Sequence, residues 1–344
     1  MRKLTGLFSL FLGVSVLLGA DQDKIPAMPA AVSSNAVASL KGGTELFSFM
    51  GVGPRKTWDD VTTQLYILHL ASGKWEEGRS VPGVTGRLAA AAAGARGQVF
   101  LMGGYVVDGR GIAAILSDVN VYVPASHRWY SGKDIPTPVS NAVIGVHRDR
   151  YVYLVGGRSK AGPVRLVQVY DADTDTWSQA TATPGPSVFG HAGGVAADSI
   201  VYCDGATESE GKPVVTSEDC WQGKIDRKDP LKIEWSKLPV HPGTAHFGMA
   251  AGGSDKDRKI FFTGGSASPF DFRGIGPGGQ PAEASLCTFA YDLRAEKWET
   301  ISDATPDPRL QASGILSTPL GELMLGGMGK GQAVTARVTA LPRK

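Results

Sequence analysis

Residues 152–157 read Val152-Tyr153-Leu154-Val155-Gly156-Gly157, and Tyr170 and Trp177 follow them. A short apolar run closed by two glycines describes a buried strand that ends in a tight turn. The same phrase returns as Val99-Phe100-Leu101-Met102-Gly103-Gly104 with Tyr122 and Trp129, and as Ile260-Phe261-Phe262-Thr263-Gly264-Gly265 with Tyr291 and Trp298. In all three copies the Trp lies seven residues after the Tyr. Weaker copies are Phe47-Ser48-Phe49-Met50-Gly51 with Tyr66 and Trp75, and Ile200-Val201-Tyr202-Cys203-Asp204-Gly205 with Ile225 and Trp235. A sixth, Leu323-Met324-Leu325-Gly326-Gly327, is followed only by the apolar-rich residues 334–341.

The copies end at Gly51, Gly104, Gly157, Gly205, Gly265 and Gly327, close to the ~50-residue period of kelch repeats. These residues resemble the kelch family throughout the chain after residue 20. The resemblance implies an all-β fold, a six-bladed kelch β-propeller with four-stranded blades. A blade cannot bury both faces alone, and radial stacking hides them while leaving only short edges. The glycines turn the chain where side chains would clash, and each Trp supplies an apolar plate between blades. The sixth copy has three strands, at roughly 311–341, and no Trp-bearing fourth. Lys24-Ile25-Pro26-Ala27-Met28-Pro29 resembles the fourth-strand exits Lys133-Asp134-Ile135-Pro136 and Lys237-Leu238-Pro239. Residues about 22–29 are therefore expected to close the last blade as its outer strand.

Of the 344 residues, 42% are hydrophobic and 20% charged, with 45 Gly and 21 Pro. That much turn chemistry excludes helical bundles and coiled coils. There are 35 Lys and Arg against 33 Asp and Glu, and removing residues 1–20, with Arg2 and Lys3 and no acid, leaves 33 of each. A balanced chain lacks the basic stripe that nucleic-acid binding needs. Met1-Arg2-Lys3, the apolar run from Leu7 to Leu18, and Gly19-Ala20 have the layout of a secretory signal peptide. The expected organisation is a signal over 1–20 and one propeller over 21–344, periplasmic or secreted, with no membrane span after signal removal. An uncleaved anchor is the other reading of the leader. Cys203, Cys220 and Cys287 make an odd count without CxxC spacing, which is neither a disulfide framework nor a zinc site. Cys203 and Cys220 fall on neighbouring strands. A disulfide between them, leaving Cys287 free and buried, and three buried thiols both remain open.

Three motifs are set aside. Gly274-Ile275-Gly276-Pro277-Gly278-Gly279 matches GxGxxG, but no helical pattern follows, so it reads as a loop. Asp171-Ala172-Asp173-Thr174-Asp175 opens like an EF-hand loop, yet Thr176 and Ala182 stand where Gly and Glu belong. Galactose oxidase is built on kelch-type blades, but no cysteine here sits beside a tyrosine in a loop that could form its copper centre. No metal and no cofactor is expected.

In a four-stranded antiparallel blade, the loop after strand two and the lead-in to strand one share a face, and the lead-ins lie nearest the axis. Polar residues at the lead-ins are Asn35, Arg87, Asn141, His191, His246, and Arg309 or Gln311. They are expected to ring one mouth of the central channel, where such groups either face a ligand or bond neighbouring blade backbones. The loops above carry Arg55 and Trp58; Tyr105, Asp108 and Arg110; Arg158; Glu208 and Glu210; and, in the longest loop at 266–284, Phe270, Asp271, Phe272 and Arg273. Arginine grips carboxylate in a fork and aromatics stack on sugar faces. A small anionic carbohydrate is therefore the expected ligand, held by Arg55, Trp58, Tyr105, Arg87, Asn141, Arg158, Arg309, Asp271 and Arg273; an envelope protein is the other class of partner.

The export signal, the N-terminal closure, the repeat order and the Arg/His mouth resemble exported bacterial kelch proteins of the N-acetylneuraminate epimerase (mutarotase) type. That resemblance implies anomer exchange, in which an acid protonates the ring oxygen and a base takes the anomeric hydroxyl proton. His191 and His246 are the acid/base candidates. Glu208 is an accessory, and Arg87 and Arg309 would anchor a carboxylate. A non-catalytic binding module on the same face is the leading expectation and the mutarotase its rival.

Overall fold

The spacing of seven between Tyr and Trp is the spacing of a hairpin pair. Tyr122 faces Trp129, Tyr170 faces Trp177 and Tyr291 faces Trp298 across adjacent antiparallel strands, with ring centroids 5.1, 5.1 and 4.9 Å apart. The computed structural model describes residues 25–111, 113–312 and 314–342. Residues 1–20, expected to be a signal peptide, lie outside the described residues.

Six sheets follow one another along the chain. Blade 1 comprises Ala36–Leu40, Glu45–Phe49, Leu65–His69 and Lys74–Gly78. Blade 2 is Ala91–Ala95, Gln98–Met102, Val119–Val123 and Arg128–Gly132. Val143–His147, Tyr151–Val155, Val167–Asp171 and Thr176–Ala180 form blade 3. Blade 4 is Ala192–Ala196, Ser199–Cys203, Cys220–Ile225 and Ile233–Lys237. In blade 5 the strands are Ala250–Ser254, Lys259–Thr263, Thr288–Asp292 and Lys297–Ser302. Blade 6 has Leu316–Thr318, Gly321–Leu325 and Val338–Ala340. Every neighbouring pair of strands is antiparallel and sequential.

The second strands are apolar on both faces because each blade is covered on both sides. The core is accordingly divided among the junctions. One cluster joins Phe47, Phe49 and Leu65 of blade 1 to Val99, Leu101 and Tyr122 of blade 2. Phe100 and Val121 of blade 2 pack with Val152 and Leu154 of blade 3 in the next, and equivalent clusters follow around the ring.

Each Trp also pins its blade to the one before. The indole Nε1 donates to a carbonyl on the preceding blade's exit: Trp129 to Arg79 at 2.8 Å, Trp177 to Lys133 at 2.7 Å, Trp235 to Thr181 at 3.2 Å and Trp298 to Pro239 at 2.8 Å. Trp75 of blade 1 donates to Pro26 at 2.9 Å. The N-terminal segment thus occupies the exit position of blade 6 and closes the ring. Met28 N–H bonds to Ala336 O at 2.7 Å, the counterpart of Ile135 N–H to Ser117 O at 2.8 Å in blade 2. Residues 25–29 form no strand of their own, and the rest of the stretch expected to be the outer strand, about 22–24, lies outside the described residues.

Cys203 and Cys220 are cross-strand partners in blade 4 and form a disulfide. Cys287 is free and half-buried rather than buried, because its thiol lies at the edge of the blade 4–5 cluster near Pro242. The GxGxxG segment is a loop, with a short turn at Pro277–Gly279. Asp171 accepts the Asp173 N–H and pairs with Arg150, which is turn chemistry. Among the described residues no helix is long and apolar enough to cross a membrane.

Candidate functional site at the channel mouth

In all six blades the lead-in to strand one meets the residue after the turn that ends strand two. The isolated bridges are Ser33 with Val52, Leu88 with Tyr105, Ser140 with Arg158, Phe189 with Ala206, Phe247 with Ser266, and Leu310 with Met328. Lead-ins and second loops therefore share one face. At the innermost point of each lead-in the chain turns left-handed, at Ser34, Ala89, Asn141, Gly190, Gly248 and Gln311, with φ between 49° and 69°. These residues bond to one another around the axis: Ala89 N–H to Ser34 O, Asn141 to Ala89, Gly190 to Asn141, Gly248 to Gly190 and Ser34 to Gln311, at 2.9–3.2 Å. The result is a neck of about 90 Å³ lined by Asn141, His191, Phe247 and Gln311 among others.

The expected polar ring is split by this geometry. Arg87, His246 and Arg309 lie two residues before the left-handed turn, and their side chains run back between blades. Arg87 is 0% exposed; it donates to Gly103 O at 3.3 Å and to Asn120. Arg309 is 1% exposed; it donates to Gly326 O at 2.6 Å and Thr339 at 2.8 Å and pairs with Asp307. Burial would raise the Asp307 carboxyl, but hydrogen bonds from Arg309 and Thr339 outweigh it and hold the pKa below its ordinary value. Asn35 is buried and bonds to Ser48 and Leu325 O. His191 lines the neck and the channel below it, yet is buried, with Nε2 bonded to Val155 O at 2.9 Å. Burial pushes its pKa down to about 4. Burial and the neighbouring His241 push His246 down to about 4 as well. Both rings are neutral at pH 7 and present almost no surface.

Above the neck opens a cavity of about 570 Å³, within the range of small-molecule sites. Four of the expected ligand residues line it: Tyr105 from blade 2, Asn141 and Arg158 from blade 3, and Asp271 from the long loop of blade 5. Phe270 and Phe272 flank Asp271, and Gln311 closes the side opposite Asn141. The loop at 266–284 is strapped across blade 6 to blade 1. Lys56 Nζ donates to Arg273 O and Gln332 O, both at 3.0 Å, and Gln332 donates to Ala282 O at 2.7 Å. Phe270 packs edge-on against Phe247 at 5.3 Å, and Phe247 against Phe189 at 5.4 Å.

Most loop charges are already paired. Arg158 holds Glu208 through two bonds of 2.8 and 3.0 Å, which lowers the Glu208 pKa, and its guanidinium lies 5.9 Å from the Phe189 ring centre. Asp271 accepts from Arg273 at 2.8 and 2.5 Å. Arg55 pairs with Asp59 and Asp60 away from the cavity. Trp58 is 54% exposed and rests on the loop of blade 2, within 3.2 Å of where a Cβ on Gly109 would stand. Burial, with Asp271 nearby, raises the Tyr105 phenol.

Comparison with known proteins agrees with the blade geometry. A family model described as the Kelch motif matches residues 145–183, which span most of blade 3. The chain is a β-propeller that carries a kelch motif. A solved structure titled "Structure of YjhT" superposes with a TM-score of 0.72 at 19% identity, covering 91% of this chain and 95% of that one. N-acetylneuraminate epimerase of Salmonella arizonae is 23% identical across 93% of this chain and 88% of its own length. Kelch-like protein 15 of Gallus gallus is 29% identical over 57% of this chain. The propeller spans only 38% of that relative's length, and 28% of the Kelch-like protein terF of Aspergillus terreus.

The propeller's cavity also contains Phe189, Phe247 and Lys160, which sequence reasoning did not select. Phe189 and Phe247 precede or follow the polar lead-in residues by one or two places, and an apolar side chain there carries no signal that separates channel mouth from core. Lys160 sits in the short Arg158–Ser159, Gly162–Pro163 hairpin, a signal available only as a turn.

Proposed function

We propose that the propeller is an exported binding protein that takes a small anionic carbohydrate in the mouth of its channel. The observation that carries this reading is the cavity of about 570 Å³ in which Tyr105, Asn141, Arg158, Asp271 and Gln311 converge with Phe189 and Phe272. Rings and amides suit a sugar's faces and hydroxyls, and the Arg158–Lys160 side suits its acid. Arg87 and Arg309 serve the blades and leave the anionic group to that side. Export is supported by the leader's layout and by the Cys203–Cys220 disulfide, a bond that persists in oxidising compartments. The test is a thermal-shift screen of residues 21–344 against sialic acids, uronic acids and neutral sugars. A bound ligand raises Tm by mass action. Acidic sugars should raise it more than their neutral counterparts, and a panel without any shift would overturn the reading.

A mutarotase is the second reading, favoured by the epimerase relative that aligns along nearly the whole chain. With His191 and His246 neutral and covered, the proton carriers that line the cavity include Asp271, Tyr105 and Lys160, and Glu208 is held by the lining Arg158. NMR of freshly dissolved N-acetylneuraminate separates the two readings: accelerated exchange between its anomers supports the enzyme, and an unchanged rate with saturable binding supports the binding protein.

A further inference from the structure

The cavity's charge and surface are more specific than an acidic sugar requires. Its charges do not all remain available: the lining Arg158 is committed to Glu208, and the lining Asp271 is held by Arg273. Lys160 is exposed, lines the cavity and has no ion-pair partner among the described residues. One free ammonium at the rim matches one anionic group. The remaining wall is largely apolar. Tyr105, Phe189 and Phe272 keep part of their surface open, Phe247 and Phe270 are buried behind them, and Ala113, Ala114 and Ile115 complete the side contributed by blade 2. A free sugar acid, hydroxylated on most of its ring carbons, would dehydrate its hydroxyls against these groups and find amide partners only at Asn141 and Gln311.

We propose that the mouth selects a sugar acid carrying an aromatic substituent, with Lys160 meeting the carboxylate and the wall of Tyr105, Phe189 and Phe272 taking the ring. This rests on the reading of the mouth as the ligand site and narrows it to an aryl glycoside of the uronic acid class. An aromatic ring gains from apolar burial and from edge-to-face contact with Phe189 and Phe272, a gain that a free sugar acid matches only in part.

Isothermal titration with three probes tests it: glucuronic acid, 4-methylumbelliferyl β-D-glucuronide and 4-methylumbelliferyl β-D-glucoside. The aryl glucuronide should bind at least roughly tenfold more tightly than glucuronic acid. It should also bind roughly threefold to tenfold more tightly than the neutral aryl glucoside, the range for an exposed charge contact. Lys160→Gln should erase the second preference and keep the first. Phe272→Ala should weaken both aryl compounds by a larger factor than glucuronic acid, in a variant whose Tm matches the parent. Equal affinity for glucuronic acid and its aryl glycoside would overturn the proposal while leaving the mouth as a sugar-acid site. Absence of binding by all three, together with a blank sugar screen, would overturn both.

Discussion

Arg309 shows how a residue chosen for its chemistry can be spent on the fold. Its guanidinium satisfies Gly326 O, Thr339 and Asp307 in a site with 1% exposure. Removing it would empty a fully buried site, leave the Gly326 carbonyl unpaired and reduce the partners of the part-buried Asp307 to Arg337 and Thr339. Arg309→Ala should therefore lower unfolding stability by about 3–5 kcal/mol in urea titration, whereas Arg158→Ala, which breaks a half-exposed pair, should cost about 1 kcal/mol or less. Unchanged stability in Arg309→Ala would show that the charge serves something other than the blade. The buried histidines make a second, pH-dependent statement. His191 and His246 stay neutral when folded down to about pH 4, against an ordinary value of 6.5. Between those values the unfolded chain binds more protons, so stability falls as pH drops from about 6.5 to about 4. His241 acts in the opposite sense. Burial would lower it, but Asp204 at 3.0 Å outweighs burial and raises it, so its contribution is present at low pH and fades as pH rises through its folded pKa. His191→Gln, which keeps a donor for Val155 O, should flatten the acid limb of a Tm-versus-pH curve. An identical limb in the variant would show that His191 does not carry it.

At the scale of the element, the repeat was legible because each of its signals has a single mechanical cause. The double glycine is required where the turn is both left-handed and crowded. Gly264 has φ +69°, and a Cβ there would stand 2.2 Å from Arg309 O. Gly264→Val should cost more than about 2 kcal/mol and, like other packing faults, leave ligand affinity of the folded fraction unchanged. Trp177→Phe keeps the plate and deletes only the bond to Lys133 O; about 0.5–1.5 kcal/mol should be lost in chemical denaturation. A neutral Trp177→Phe would mean that the indole nitrogen contributes nothing to the blade junction. Blade 4 looked weak in sequence because Asp204 replaces the first glycine. It takes the left-handed turn at φ +63° and uses its carboxylate to accept His246 N–H at 2.7 Å and bond to His241. The mouth was less legible for a related reason. Arg87 and Arg309, two places before the left-handed turn of the lead-in, are spent inside the fold, Asn141 and Gln311 at the turn line the neck, and Asn35 and His191 just after it bond to the end of the preceding blade's second strand. A spacing measured from the glycines, with loops of unequal length between, gathers all three into one apparent ring. Asn141 and Gln311 reach the cavity; Arg87 and Arg309 do not.

At the scale of the whole molecule the deciding feature is how the ring is joined. Five indoles fasten five junctions, and the junction between blades 5 and 6 has no such bond because blade 6 lacks a Trp-bearing strand. The ring is completed from the far end of the chain. Trp75 reaches Pro26, Met28 N–H bonds to Ala336 O, and the Met28 side chain is 4% exposed among Val32, Leu46, Leu323 and Leu325. The resemblance of residues 24–29 to the exits of blades 2 and 4 was enough to foresee this in sequence, because an exit needs only an apolar residue between a bend and a Pro. Closure couples the two ends of the chain, so its loss acts on both blades 6 and 1. Deleting residues 21–30 removes the Met28 plug, leaves Trp75 Nε1 without its acceptor and frees the Ala336 carbonyl beside the edge strand Val338–Ala340. Loss of a buried Met alone costs about 2–5 kcal/mol, and an uncovered strand edge invites association. The truncated protein should melt several degrees below the form that begins at residue 21 and aggregate during refolding, while Met28→Ala in the full-length mature chain should reproduce the lower Tm without the aggregation. A truncated protein that melts within about a degree of the intact one would show that the ring is held without its N-terminal segment.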